Sequence, residues 1–452
     1  MQYASRSIAH PRRKLALAVA AAVALAGTGS ALAQNNSSGY IYGSANPGDV
    51  VHIENTATGL KRDITIGQDG TYRANSLPIG NYDVSVVRNG TTVDSRKNVL
   101  TQISLGTNVS FNAPATSKEA TDLNAVQVSA NALPNIDVSS VDSRTVLSAD
   151  QLAKLPIART SISSVALLAP GTTPAARGYG NALSFGGSSA SENAYYINGF
   201  QVTNPLTGVS SRQLPYDAID QEQVLIGGYG AQYGRSTGGV INVVSKRGSN
   251  EWKGDIQVLW SPSAFQQQPR NIYLRDGTKF QRGNPYTLRD QDNLQYSGSL
   301  GGALIKDKLF IFAAADWIKQ TGNYTGPSSV SDDEKDNSKT KRWLTKIDWN
   351  INDSNILELT GIGDTETTDN QLYNYSYQTG RGAYLGKQTT KNYNGTQTNS
   401  TPGGNVYIAN YTGYITDELT VNAMYGRAKS DHQQTINSAT GQACPQITDS
   451  RV

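Results

Sequence analysis

From residue 251 onward the chain repeats one pattern three times. About ten residues alternate apolar and polar, a four-residue turn holds an aspartate, and a second alternating run follows. Leu294 to Leu304 turns at Ile305-Lys306-Asp307-Lys308 into Leu309 to Lys319. Lys341 to Asn350 turns at Ile351-Asn352-Asp353-Ser354 into Asn355 to Gly363, and Val406 to Tyr414 turns at Ile415-Thr416-Asp417-Glu418 into Leu419 to Lys429. A period of two sends successive side chains to opposite faces of a sheet, so each run predicts a strand and each pair an antiparallel hairpin. Long polar segments such as 320–340 and 366–404 join one pair to the next. Short turns at one end and long loops at the other are the asymmetry of a transmembrane β-barrel, whose short turns lie in the periplasm. Trp317, Trp343, Trp349, Tyr407, Tyr414 and Tyr425 near strand ends suit its aromatic girdles. Ile311, Ala313, Trp317, Ile347 and Trp349 are expected to face lipid. A soluble β-sandwich or propeller is the other fold that alternation allows, and the loop asymmetry argues against it.

The N-terminus predicts export. Arg6, Arg12, Arg13 and Lys14 precede an apolar run from Leu15 to Ala26, and Ala31-Leu32-Ala33 places small residues before Gln34. This is the pattern of a signal peptide over residues 1–33, cut between Ala33 and Gln34. The apolar run is too short to span a bilayer core of ~30 Å as a helix. Arg12-Arg13 lacks the rest of a twin-arginine signal. No other segment is long and apolar enough for a membrane helix, so the mature chain is expected in the periplasm, outside the cell, or in the outer membrane.

Composition narrows the function classes. With 39 basic against 36 acidic residues the net charge is +3, too balanced for an electrostatic nucleic-acid binder. At 17% charged residues the chain is neither a coiled coil nor a charged disordered tail. The lone Cys444 excludes a disulfide scaffold or cysteine zinc site, and three scattered histidines give no metal set. No paired acid and base or activated nucleophile emerges, so neither catalysis nor a cofactor is expected. The 44 glycines, and 24 tyrosines against 7 phenylalanines, suit exposed β-structure.

Residues 39–112 read as short strands with turns at close intervals. Val50-Val51-His52-Ile53 precedes a Thr58-Gly59 turn, Gly67-Gln68-Asp69-Gly70 supplies a hairpin, and Asn89-Gly90 is a strong two-residue hairpin signal. A small β-sandwich is expected. The Gly70-x-Tyr72 and Leu77-Pro78-x-Gly80-x-Tyr82 pattern resembles the carboxypeptidase regulatory-like (transthyretin-like) domain, a non-catalytic module. His52, between Val51 and Ile53, is expected to be an ordinary strand residue. Tyr40, Tyr42, Tyr72 and Tyr82 lie in strands where core packing is the usual role.

Residues 113–145 form a linker rich in Ser, Thr, Asn and Ala. Within it, Asp122, Leu123, Asn124, Ala125, Val126, Gln127 and Val128 make a short extended stretch able to add to another sheet's edge. It resembles the TonB box of TonB-dependent outer-membrane transporters. A buried connecting strand is the alternative.

Residues 146–250 are glycine-rich and mixed α/β. Ser148 with Gln151 has the spacing of a capping box. Ile162, Val165, Leu167 and Leu168 predict a second short helix ended by Pro170-Gly171, and strands are expected at Tyr195–Ile197, Gln223–Ile226 and Gly238–Ser245. Asn193-Ala194-Tyr195-Tyr196-Ile197-Asn198-Gly199, then Ile219-Asp220-Gln221-Glu222-Gln223-Val224, then the run from Tyr229 through Tyr233-Gly234-Arg235-Ser236-Thr237-Gly238-Gly239-Val240-Ile241-Asn242 resemble the plug of TonB-dependent receptors. Gly186-Gly187-Ser188-Ser189 and the tyrosine-glycine-arginine version of the motif point to the Oar-like subgroup. Gln223-Val224-Leu225-Ile226-Gly227-Gly228 departs from the family, where many members have an acidic residue and an Arg-Gly pair, and this leaves plug-to-barrel ion pairing open. Arg177 and Arg235 are expected to be solvated or salt-bridged rather than to touch substrate. Gly228-x-Gly230 lacks the lysine and context of a phosphate loop.

The resemblance implies a mainly β protein: a transthyretin-like sandwich, an α/β plug and an antiparallel transmembrane barrel over 251–452. One strand near Trp252–Trp260 and the six in the hairpins give about seven. A plugged transporter has 22 strands, which need roughly 220 residues before loops. The barrel is therefore expected to be incomplete, the chain truncated or fragmentary, with Cys444 in an extracellular loop either unpaired or matched by a cysteine elsewhere. The resemblance also implies ligand uptake across the outer membrane, driven by the proton gradient through TonB with ExbB and ExbD. The partners would be outer-membrane lipid and an extracellular ligand the sequence does not identify. The alternative is an adhesion or carbohydrate-binding protein that reads its ligand with the sandwich.

Overall fold

The structure is a computed structural model. It describes residues 37–111, 143–155, 161–175, 182–204, 208–209, 213–267, 270–277, 279–282, 289–325, 332–376, 380–393, 404–429 and 431–438. The expected signal peptide, the 122–128 stretch, Arg177 and Cys444 lie outside these residues.

Seven strands build the N-terminal sandwich: β1 (Ser38–Ser44), β2 (Val50–Glu54), β3 (Lys61–Thr65), β4 (Thr71–Pro78), β5 (Gly80–Arg88), β6 (Thr91–Thr101) and β7 (Gly106–Asn108). One sheet runs β4-β1-β7 and the other β3-β2-β5-β6. Inward alternation places Ile41, Val51, Ile53, Tyr72, Leu77, Tyr82, Val84 and Val86 in one core. Asn89 and Gly90, at φ 49° and 78°, make the tight turn between β5 and β6 that the sequence predicts. Tyr82 is buried and its hydroxyl donates to the Pro78 carbonyl at 2.7 Å. His52 sits opposite Asp63 on the sheet surface and hydrogen-bonds its carboxylate.

The middle domain contains β8 (Ser143–Ser148), α1 (Ala149–Lys154), α2 (Ile162–Ala166), β9 (Thr172–Pro174), β10 (Leu183–Phe185), β11 (Ala194–Ile197), β12 (Phe200–Gln201), β13 (Ile219–Gly227) and β14 (Val240–Ser245). Its main sheet runs β12-β11-β14-β13-β8, with β11 and β14 parallel. The Ser148–Gln151 capping box forms at the start of α1. Two expectations shift. β8 begins inside the stretch predicted as linker, where Ser143, Arg144 and Thr145 already pair with β13. α2 ends at Ala166, and Leu167 and Leu168 are exposed in the turn that follows.

The rest is one nine-stranded antiparallel sheet. β15 (Lys253–Ser261) leads; β16 (Asn271–Tyr273) and β17 (Lys279–Arg282) form a separate hairpin. Then come β18 (Arg289–Ile305), β19 (Leu309–Thr325), β20 (Asp332–Asn352), β21 (Asn355–Ser376), β22 (Gly380–Tyr393), β23 (Gly404–Tyr414), β24 (Thr420–Ala428) and β25 (Asp431–Ser438). The order is β15-β18-β19-β20-β21-β22-β25, and the first half of β21 pairs instead with β23, which pairs with β24. Among the described residues this sheet does not close on itself.

All three predicted hairpins form; the third has strands of 11 and 9 residues, but those of the first two are far longer than ten. β18 and β19 have 17 residues, β20 has 21 and β21 has 22. Much of the polar 320–340 and 366–404 stretches is strand, not loop, and β22 and β25 raise the count from about seven to nine. The reason is physical: outside an apolar slab nothing demands apolar side chains, so pairing continues through Thr, Asn, Asp and Lys after the hydrophobic alternation stops.

Alternation still fixes the faces. Arg342, Leu344, Lys346, Asp348 and Asn350 are buried on one side of β20, and Trp343 and Trp349 are exposed on the other. Phe312, Ala314, Leu344, Ile362, Val406 and Ile408 on the inner side share a core with Ile197, Val224 and Val243 of the middle domain. Tyr414 departs from its expected place in a girdle. It faces inward, 7% exposed, with Arg62 of the sandwich stacked 4.0 Å from its ring centre.

Candidate functional site

The first motif, Asn198-Gly199, lies at the seam between the middle domain and the inner face of the large sheet. β11 turns into β12 through Asn198 and Gly199, at φ 48° and 81°. The left-handed backbone suits asparagine and glycine. Asn198 is buried and uses both ends of its amide. Its oxygen accepts from the Ser245 amide at 2.9 Å, and its nitrogen donates to Ser245 Oγ at 2.9 Å and to Thr360 Oγ1 at 3.1 Å. One side chain therefore ties the hairpin to the end of β14 and to the wall strand β21.

The second motif packs inside the middle domain. Tyr233 lies edge-on to Tyr196 and Tyr229, with ring centres 5.5 and 6.1 Å away, and donates to Gln223 Oε1 at 3.2 Å. The Gly234 carbonyl accepts from the Tyr196 hydroxyl at 3.4 Å. A Cβ on Gly238 would collide with Asn193 and Ser188, and one on Gly239 with the Phe185 ring. The Gly239 amide donates to Asn193 Oδ1 at 3.1 Å. Asn242 is fully buried in β14, between Tyr196 and Gln223 in register. Arg235 is exposed at φ 63°, with no ion pair among the described residues.

A charged cluster that the motifs do not announce closes the seam. Arg247, just past β14, reaches Glu358 Oε1 at 2.6 Å and Asp348 Oδ1 at 3.6 Å. Lys346 reaches the same two carboxylates at 2.9 and 3.4 Å. Asn410 donates to Glu358 Oε2 at 3.2 Å. Two cations face two anions, so the buried group is neutral as a set. Burial works against the Arg247 charge, and the Asp348 and Glu358 carboxylates outweigh it and hold the guanidinium protonated. The signal for Arg247 was in the sequence: Lys246-Arg247-Gly248 directly follows an apolar strand. On the wall, Lys346 and Arg247's partner Asp348 sit at alternate positions among outward Thr345, Ile347 and Trp349.

The sandwich joins the same assembly, a contact the sequence did not reveal. Gln221 Nε2 donates to the Thr101 carbonyl at 3.2 Å while its oxygen accepts from the Ile103 amide at 3.0 Å. Gln223 Nε2 donates to the Ile103 carbonyl at 3.1 Å. Ile79 and Ile103 pack on Val244, and Leu60 packs on Ile356 and Tyr414. Tyr414 donates to the Ser76 carbonyl at 2.9 Å, and Asn350 to the Thr58 carbonyl at 3.3 Å. The sandwich thus sits against the short-turn end of the large sheet, beside Asp307.

Comparison with known proteins decides what the middle domain is. Residues 137–240 match the TonB-dependent Receptor Plug Domain family. The chain carries a TonB-dependent receptor plug. It is also similar to the TonB-dependent transporter Oar of Myxococcus xanthus, 29% identical over 284 residues, which cover 60% of this chain and 25% of that protein. The chain spans about a quarter of the length of this curated relative. Among solved structures it is similar to a ferric enterobactin receptor mutant from Pseudomonas aeruginosa, at TM-score 0.41 and 14% identity over 65% of this chain and 41% of that one. It is likewise similar to the outer membrane transporter YddB from Escherichia coli, at TM-score 0.39 and 13% identity over 65% of this chain and 53% of that one. Of the plug motif residues, Asn198 and Gly199 form the turn that meets the wall, Asn242 lies on the plug's own sheet, and Tyr233, Gly238 and Gly239 lie in the loop that leads into β14.

Proposed function

We propose that this chain belongs to an Oar-like transporter of the bacterial outer membrane, in which TonB draws on the plug to pass a ligand through the barrel. The plug's core runs without a break into the inner face of the large sheet, and the Arg247–Glu358 pair bridges the two. This is the observation that carries the proposal. A plug held by a neutral set of buried charges is stable at rest, yet it has a hydrophilic seam along which it can be displaced. The work would come from the proton gradient through TonB with ExbB and ExbD. TonB would engage Asp122–Val128 by strand addition, which needs only free backbone groups and alternate side-chain pockets. Extracellular loops would receive the ligand.

The alternative, a surface protein reading carbohydrate with its sandwich, has less support. Tyr72 and Tyr82 are core residues whose hydroxyls donate to the Val109 and Pro78 carbonyls. The sandwich also spends part of its surface on the plug and wall.

Crosslinking tests the proposal. A photoreactive residue at Val126, in cells with an energised inner membrane, should capture TonB. In a second variant with the photoreactive residue at Asn124, Val126→Pro removes strand pairing and should abolish the crosslink. Equal capture with and without the proline, or none at all from a surface-assembled receptor, would overturn it.

A further inference from the structure

The outer face of the large sheet carries a second pattern, independent of the plug. Even-numbered residues of β19 and β20 point to the plug, so the odd-numbered ones face away. Read upward from the short turns, the outward cross-strand rows begin with Leu309–Trp349–Leu357 and continue through Ile311–Ile347–Leu359, Ala313–Thr345–Gly361 and Ala315–Trp343–Gly363. Next comes Trp317–Lys341–Thr365, then Lys319–Lys339–Thr367. Tryptophans bracket an apolar band, and lysines begin at its upper edge. Ten residues at ~3.3 Å each, on strands tilted by ~40°, put the Lys319–Lys339 row about 25 Å above Trp349, the height of a barrel's apolar band.

Lys319 and Lys339 are directly opposite each other on neighbouring strands. Like charges in that position repel and destabilise a sheet. Lys319, Lys339 and Lys341 are exposed, and among the described residues none of them has an ion pair. Beyond this row the face opens into a groove of about 400 Å³ lined in part by Lys319, Lys335, Thr321 and Asn337. Three carboxylates also line it: Asp369 is held by Lys387 at 3.1 Å, Asp290 lies beside Asn323, and Asp336 is half-buried. Three lysines and three carboxylates balance the groove itself, so the positive charge without an ion pair lies on its membrane side, at the Lys319–Lys339 row and Lys341.

We propose that Lys319, Lys339 and Lys341 form a site for the phosphate of a phosphorylated lipid headgroup in the outer leaflet. The occupant follows from position and charge. These lysines continue the lipid-facing band, they lie at the end opposite the short periplasmic turns, and their long stems let ammonium groups reach a headgroup while the stems cover apolar surface. A phosphate between Lys319 and Lys339 turns a repulsive pair into a bridged one.

This inference rests on the outer-membrane reading above, so the test separates the two. The full chain is expressed in a Gram-negative host, its outer-membrane content is measured on a density gradient, and the phosphorylated glycolipid retained after mild detergent extraction is quantified by native mass spectrometry. Lys319→Gln, Lys339→Gln and Lys341→Gln together should lower retained lipid at least about tenfold. The corresponding triple arginine variant and the sandwich variant Lys97→Gln should retain it, and excess inorganic phosphate should not strip it. Retention by the glutamine variant, or stripping by inorganic phosphate, would overturn this site while leaving the transporter reading intact. A chain absent from the outer membrane would overturn both.

Discussion

Arg247 of the plug and Glu358 of the wall meet through Nη2 and Oε1 at 2.6 Å, with Lys346 on the same carboxylate and Asp348 completing the set. A buried pair of this kind contributes little beyond an apolar substitute, but breaking it leaves a charge stranded.

Arg247→Met should therefore cost about 3–5 kcal/mol of plug stability, because Lys346 alone would face two carboxylates. Urea dependence of protease protection in the plug would measure it. The double variant Arg247→Met with Glu358→Gln restores neutrality and should cost much less than the sum of the two single changes. Additive costs would show that the residues do not act as a pair.

Glu222 is fully buried on β13, on the same face as Val224, and its carboxylate has no hydrogen-bond partner among the described residues. Burial pushes its pKa well above the ordinary 4.5. A raised carboxyl pKa means that its stabilising contribution is complete below pH 4.5 and is lost as pH climbs through the folded-state value. Glu222→Gln should leave stability at pH 4 nearly unchanged and raise it at pH 8, read as the plug's urea midpoint. An identical pH slope in both proteins would contradict the assignment.

Gly239 has no room for a side chain, since its Cβ would enter the Phe185 ring. Gly239→Ala should cost about 1–3 kcal/mol through overpacking. Phe185→Leu in the same chain should recover part of the loss in thermal midpoint, whereas a purely backbone effect would not respond to position 185.

Much of this was legible in residues whose local chemistry and tertiary role agree. Ser148 and Gln151 are capping residues in any context, Asn89-Gly90 and Asn198-Gly199 suit left-handed turns by themselves, and Asp307 and Asp353 mark turns between alternating runs. The misses arose where position depends on partners far away in sequence. Tyr414 reads as a girdle aromatic, yet the docked sandwich offers it Arg62 and the Ser76 carbonyl, and it turns inward. Strands β20 and β21 outrun their apolar stretch because pairing, not hydrophobicity, carries them on. Arg247 escaped notice because its partners are about a hundred residues downstream, on a wall whose inward face is identified only when the plug is in place.

The sandwich latch predicts a local signature. The Ile103 amide donates to Gln221 at 3.0 Å, and Gln223 holds the Ile103 carbonyl. Gln221→Ala with Gln223→Ala should speed hydrogen exchange at Ile103 by about tenfold or more while leaving exchange in the sandwich core at Val84 unchanged. Uniform acceleration across both positions would mean that the sandwich has no stability of its own.

The central claim is that the plug lies against the inner face of the barrel wall, with Asn198 within hydrogen-bonding reach of Thr360. It is tested most directly by replacing both with cysteine in a Cys444→Ser background, oxidising isolated outer membranes, and mapping disulfide-linked peptides by mass spectrometry. The account predicts a 198–360 linked peptide that disappears on reduction. Two freely alkylated thiols in a membrane-embedded chain would contradict it.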